Sequence, residues 1–179
     1  MKTLTLLRHA KSSWDDPVAR DFDRALNARG IAGARLIGDY MKDAGLDYDH
    51  VISSPAVRCT ETLDFLCEGL GRSLHPNWDR RVYLASCVTL LDLVHEAPDG
   101  AERVLMCGHN PGLEDLILLL VPDRTGDAQR DAVEEKFPTA ALAELAFDVD
   151  HWTDVKNGGG RLTRLVRPRD LNPALAPDD

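Results

Sequence analysis

No two of the four cysteines, Cys59, Cys67, Cys87 and Cys107, are spaced as a CxxC pair. Neither a zinc knuckle nor a dithiol redox motif is therefore written in the chain, and reduced, mostly buried thiols are expected. Aromatic residues amount to only 6%, with no basic stripe interleaved among them. That removes the face a nucleic-acid partner would track. No apolar run reaches transmembrane length, and the one that begins after Lys2 is interrupted by Arg8 and His9 before it attains signal-peptide length. No membrane partner and a cytoplasmic location are the resulting expectations.

What the chain does contain is ordinary globular composition, 44% hydrophobic and 28% charged over 179 residues. That is enough for one domain with a full core and too little for two. One domain over 1–170 is expected, followed by a proline-bearing, mobile tail at 171–179. The net charge of −9 is uneven: residues 1–60 carry nine Lys/Arg against eight Asp/Glu, and residues 61–179 carry twelve against twenty-two.

Short apolar runs alternate with helical periodicity. Thr3 to Leu7 reads as a buried strand that stops at Arg8-His9. In the helix that follows, Ile31, Ala34, Ile37, Gly38 and Met41 share a face, with Asn27 as N-cap and Gly45 as stop. His50 to Ile52 is a second strand, and Ser54 is placed to cap, and Pro55 to begin, a helix with Cys59, Leu63, Leu66, Cys67 and Leu70 inward. Leu74 to Val82 holds a minor strand, and Ser86 caps a helix through Val94. Arg103 to Cys107 is a further strand, ahead of Gly108-His109-Asn110-Pro111-Gly112 and an apolar helix that Asn110 and Pro111 start. Pro122 to Lys136 reads as an exposed loop or lid, while alternation from Ala141 to Phe147, and then Arg161 to Val166, gives two antiparallel edge strands. The expected fold is α/β, a three-layer sandwich with a mostly parallel central sheet flanked by helices and antiparallel edge strands near the C-terminus.

Ligands of open α/β sheets bind beyond the carboxyl ends of the strands. Three strand-to-helix junctions deliver related residues there: Arg8 with His9, then Arg58, then His109. Each alone has a plain structural reading, as a solvated basic pair, a surface charge or a structural histidine. Arg58 sits beside the positive end of its helix, where it must be either solvated or compensated by an anion. Together the residues suit a phosphoryl group: guanidiniums bind it bidentately and stay charged. One histidine can then attack while the other donates a hydrogen bond to the same oxygens. Lys11, Arg24 and Asn110 are further candidates for substrate contact. A solvated loop is the alternative for Lys11 to Trp14, and spacing favours a surface charge for Arg24. His95 reads as a surface or boundary residue.

Other phosphate chemistries fail at motif level. The glycines 158–160 lack the lysine of a P-loop, and the positions six residues beyond each cysteine are Phe65, Ser73, Leu93 and Leu113 rather than arginine. Asp148-Val149-Asp150 faintly resembles an aspartate-based phosphatase motif, but Trp152 replaces the small residue expected there.

LLRHAKS, SSPAVRCTET and CGHNPG resemble the motifs of the histidine phosphatase superfamily, also called phosphoglycerate mutase-like. RDFDRALNARG, KFPTAALAEL and RPRDL extend the resemblance over nearly the whole chain, toward the short phosphohistidine phosphatase branch. The resemblance implies that His9 attacks phosphorus and becomes a phosphohistidine that water hydrolyses. Arg8, Arg58 and His109 would hold the phosphoryl oxygens, with no metal or other cofactor. The implied partner is a protein carrying phosphohistidine, or a small phosphorylated substrate. Flanking arginines would keep His9 neutral by lowering its pKa.

Two departures stand out. The glycine usual after the histidine is Ala10, which requires an ordinary backbone conformation there. Larger members also place a glutamate as general acid between the second and third motifs, whereas Leu74 to His95 offers only Asp79 and Asp92. An alcohol leaving group needs that proton; the ring nitrogen of a phosphoramidate can be protonated before the P–N bond breaks. This favours phosphohistidine as substrate. The alternatives are a phosphomonoesterase or mutase acting on a small metabolite, and a non-catalytic phosphate-binding module.

Overall fold

Leu4, Leu6 and Leu7 are fully buried because strand β1 (Lys2–Arg8) lies inside a sheet and under helices on both faces. In the computed structural model, residues 1–17 and 19–176 are described. The other strands are β2 (His50–Ser53), β3 (Asn77–Trp78), β4 (Arg103–Gly108), β5 (Leu142–Phe147) and β6 (Gly160–Val166), in the spatial order β3-β2-β4-β1-β5-β6. β1 to β4 are mutually parallel, and β5 and β6 are antiparallel additions.

Register decides what the sheet presents. Arg8 pairs with Gly108, and both Leu7 and Ser53 pair with Cys107. Three parallel strands therefore end flush, and His9, Ser54 and His109 leave the sheet side by side at its carboxyl edge. β5 runs the other way, with Leu142 beside Leu7 and Phe147 beside Lys2. Residues 137–141 thus reach that same edge, while Asp148 and Asp150 lie at the opposite one.

Helices α1 (Ala28–Asp43) and α2 (Val57–Leu70) cover one face, packing Ile37, Met41, Leu63 and Leu66 against Leu7, Val51 and Leu105. Helices α3 (Cys87–His95), α4 (Gly112–Leu120) and α5 (Ala128–Glu135) cover the other, packing Leu90, Leu93, Leu116 and Val133 against Leu4, Leu6 and Met106. The result is the expected three-layer α/β sandwich. Asn27 and Ser86 cap α1 and α3 through their side chains. Among the described residues, no helix is long and apolar enough to cross a membrane.

The structure corrects several local readings. α2 begins at Val57, not Pro55: Ala56 is its non-helical N-cap, and the Ser54 hydroxyl accepts from the Ala56 N–H and sits against His109. α4 begins at Gly112 behind a cis Asn110–Pro111 bond. Residues 122–136 are not simply an exposed loop, since they contain α5. There Asp127 accepts from the Arg130 N–H, and buried Arg130 donates to the carbonyls of Val121 and Leu118. Alternation at 141–147 captures only half of β5, which is buried on both faces between β1 and β6. In the tail, α6 (Pro168–Leu171) and a short turn at 173–175 are described, with Leu171 against the α1–α2 core, and residues 177–179 lie outside the described residues.

α1 crosses α2 closely enough that a Cβ on Gly38 would stand 2.0 Å from the Leu66 carbonyl oxygen. Gly38→Ala must therefore separate the helices and should cost about 1–3 kcal/mol, as overpacking does. Gly100→Ala, whose Cβ would meet nothing within 4 Å, is the matched control. Chemical denaturation of the two variants beside the wild type measures the difference.

Candidate active site

Beyond the flush strand ends lies a cavity of about 240 Å³, and Arg8, His9, Lys11, Arg24, Arg58, His109 and Asn110 all line it. The seven residues read from the sequence as catalytic or substrate-contact candidates are therefore brought to one place.

His9 follows β1 directly. Its Nδ1 lies 2.7 Å from the Ala10 carbonyl oxygen, which can only accept, so Nδ1 carries the proton and Nε2 keeps its lone pair. Ala10 has an ordinary backbone conformation. Its N–H donates to the Thr62 hydroxyl, which donates in turn to the Arg58 carbonyl, pinning the turn after β1 to α2. Burial above all holds the His9 pKa well below 6.5; the charges of Arg8, His109 and Arg58 act in the same direction, and the bond to Ala10 opposes them.

His109 leaves the adjacent strand, its ring centroid 5.4 Å from that of His9. The Arg58 guanidinium is 3.2 Å from its Nδ1 and can only donate, so Nδ1 is the acceptor. Nε2 then carries the proton and donates to the Ser54 hydroxyl at 2.8 Å.

Arg58 stands in the first turn of α2 and is only 2% exposed. Its compensation comes from Asp21, in a short 3-10 turn at Asp21–Asp23: the Asp21 carbonyl accepts from Nη1 at 2.6 Å and its carboxylate from Nη2 at 2.9 Å. The buried Arg58 Nε has no hydrogen-bond partner. Arg24 is 9% exposed rather than a surface charge. It donates to the Ser12 hydroxyl at 2.6 Å, pairs with Asp21 at 3.3 Å, and stacks 3.5 Å from the centre of the Trp14 ring. Arg8 donates to the Phe137 carbonyl, which also accepts from Asn110. The Asn110 side-chain oxygen accepts from the Glu114 N–H, so much of that amide is committed to structure.

Asp21 is the one carboxylate lining this cavity among the described residues. Partial burial works to raise its pKa. The hydrogen bonds from Tyr83 and Arg58, the Arg58 charge and the Arg24 bond outweigh that and bring it from 3.8 to about 2. It is an ionised partner of the arginines and not a proton donor near neutrality. Asp79 is held by Arg81 at 2.8 Å and lines a different cavity. Sequence reasoning missed Asp21, Thr62 and Tyr83, and it read Ser54 only as a helix cap. Asp21 could have been found from its i,i+3 spacing to Arg24; Tyr83, whose hydroxyl donates to Asp21 at 2.5 Å, comes from 62 residues away and had no local signal.

Comparison with known proteins turns this geometry into a family. A family model described as the histidine phosphatase superfamily, branch 1, matches residues 4–81. A solved structure from Agrobacterium tumefaciens, named a candidate phosphohistidine phosphatase SixA, superposes with a TM-score of 0.76 and is 31% identical, covering 93% of this chain and 98% of its own. A protein of Mycobacterium tuberculosis is 32% identical over 91% of this chain and 100% of its own. The phosphohistidine phosphatase SixA of Escherichia coli is 25% identical over 96% and 97%. The chain belongs to the histidine phosphatase superfamily. Membership makes it a phosphatase-type hydrolase.

Asp21→Asn leaves Arg58 and Arg24 with a neutral acceptor. We expect a stability loss of about 1–2 kcal/mol, below that of a fully buried pair because the Asp21 side chain is 42% exposed, and a fall in phosphatase kcat/KM of about tenfold through misplacement of Arg58. The folded-state pKa is depressed, so the stabilisation is complete above 3.8 and is lost as pH falls toward about 2. Denaturation of both proteins at pH 6 and pH 3 should show the gap narrowing in acid.

Proposed function

We propose that this phosphatase removes phosphate from phosphohistidine on a protein, through a covalent phosphohistidine at His9 and without a metal. One observation carries the reading. His9 presents a free Nε2 lone pair to a cavity walled by guanidiniums, and the only carboxylate there among the described residues is locked ionised.

In the first step the Nε2 lone pair of His9 forms a bond to phosphorus as the P–N bond of the substrate breaks. The electron pair of that bond leaves on the substrate imidazole, which departs neutral because its other ring nitrogen already carries a proton. Arg8 and Arg58 take the charge of the phosphoryl oxygens, and the unpartnered Arg58 Nε–H gains an acceptor.

The phosphorylated His9 ring is cationic, and its Nδ1–H remains bonded to the Ala10 carbonyl. That bond stabilises the intermediate and keeps the ring a good leaving group. Water then attacks phosphorus, the bond to Nε2 breaks, and inorganic phosphate leaves with His9 neutral again. A phosphate ester would need a proton on its leaving oxygen, which Asp21 does not supply. The guanidiniums repel a divalent cation and do the work a metal would do. The free cysteines suit a reducing cytoplasm.

A phosphohistidine protein, run beside sugar phosphates and phosphoglycerate with and without chelator, tests this. We expect release from the phosphohistidine protein alone, insensitive to chelator, and a label on the enzyme that survives alkali but not acid. His9→Ala should remove the label and at least about 10³-fold of the rate. Turnover of the metabolites only, or full activity in His9→Ala, overturns the proposal.

The pH profile is a second test. His9 must be neutral to attack, and its pKa lies well below 6.5. The acid limb of kcat/KM should therefore fall well below pH 6.5, not at it. Because the unfolded histidine takes its proton first, stability should decline as pH drops through 6.5; thermal unfolding of wild type and His9→Ala separates this contribution from the rest.

A further inference from the structure

Beside the phosphoryl cavity lies a second one, of about 140 Å³, that the mechanism above does not use. It begins at Ala10, the residue after His9, and shares Lys11 and Thr139 with the first cavity. α1, the 138–140 segment and the C-terminal 167–175 stretch form its walls. Lys11, Arg29, Arg167 and Arg169 line it around an apolar floor that includes Pro168 and Leu175, and among the described residues no carboxylate lines it. Arg167 is paired with Asp170 at 2.9 Å, and Arg29 donates to the Ala176 carbonyl at 2.5 Å. Four cations on one small cavity run against the composition of a chain whose net charge is −9.

We infer that this cavity is a subsite for a second anionic group, a carboxylate or phosphate carried by the substrate close to the phosphoryl group. Cations arranged around a partly desolvated, apolar-floored pocket favour an anion over a neutral group of the same size. Lys11, shared by both cavities, couples the two positions. The group has two possible sources, an acidic side chain flanking the phosphohistidine of a protein, or the carboxylate of a small phosphorylated acid. The first rests on the phosphohistidine reading; the subsite itself does not.

The test is a preference measured in wild type and in Arg29→Gln/Arg169→Gln. Two peptides carry phosphohistidine, one flanked by glutamates and one by alanines; a parallel pair is 3-phosphoglycerate against glycerol 3-phosphate. Wild type should prefer the anion-bearing member of one pair by about tenfold in KM, the size of one charge-assisted contact. The double glutamine variant should lose that preference, with kcat little altered, and Arg29→Lys/Arg169→Lys should restore most of it.

Loss of preference in the peptide pair identifies a protein source. Loss in the metabolite pair alone keeps the subsite and overturns the phosphoprotein reading. No preference in wild type for either pair, or a preference that survives in the glutamine variant, overturns the subsite. Should neither pair be turned over, titration of the two peptides and 3-phosphoglycerate into the same proteins decides it by the same ratio.

Discussion

A guanidinium buried at the positive end of a helix has to be neutralised, and the site is arranged around how Arg58 solves that problem. At 2% exposure it has no water to fall back on, and the dipole of α2 opposes it. Asp21 reaches in from a turn 37 residues upstream. That contact orders the loop between β1 and α1, and the same carboxylate then holds Arg24 and accepts from Tyr83. Tyr83 in turn packs edge-on to His109, with ring centroids 5.4 Å apart. One ion pair therefore ties together segments from four places in the chain. On the proposed mechanism, an arriving phosphoryl group meets guanidiniums already fixed in place, which lowers the ordering cost of binding.

How much of this was legible in the sequence follows from the range of each interaction. Strand ends are short-range features, and parallel strands in one sheet must end at one edge, so the junctions at Arg8-His9, Arg58 and His109 could be read together as one site. The layers followed from helical faces such as Ile37 and Met41 in α1. α5 was hidden because its sequence is dominated by charge, and only Val133 and an arginine committed to backbone carbonyls face inward. The start of α2 was misplaced because the Ser54 hydroxyl serves His109 in addition to the backbone. β5 gave away only one of its faces, since the sheet is covered on both sides there and successive residues are buried whichever way they point. Arg24 read as a surface charge because Ser12, Trp14 and Asp21, which bury it, come from outside its own short motif.

The two cavities divide the charge of the protein in an instructive way. An acidic chain gathers its cations along the sheet edge and around the start of α1, where Lys11 is common to both cavities. In a protein of net charge −9 the background field repels phosphorylated substrates at long range, so attraction must be local. Within about one Debye length, roughly 8 Å at physiological salt, the nearby guanidiniums outweigh the distant carboxylates. Such an arrangement favours selection at contact over electrostatic steering.

His9 shows how the backbone sets the chemistry. A carbonyl acceptor on Nδ1 costs nothing in charge, fixes one tautomer, and leaves the Nε2 lone pair available. A carboxylate in the same place would have raised the pKa of the ring and, with it, the fraction protonated and unable to attack. Burial and three neighbouring cationic or basic groups push the other way. The neutral carbonyl adds orientation while opposing that depression less than a carboxylate would. On the proposed mechanism the same economy makes the leaving group matter: with His9 neutral and Asp21, the one carboxylate lining the cavity among the described residues, ionised, the site holds no proton ready to give. The substrate that suits it is one that can bring its own.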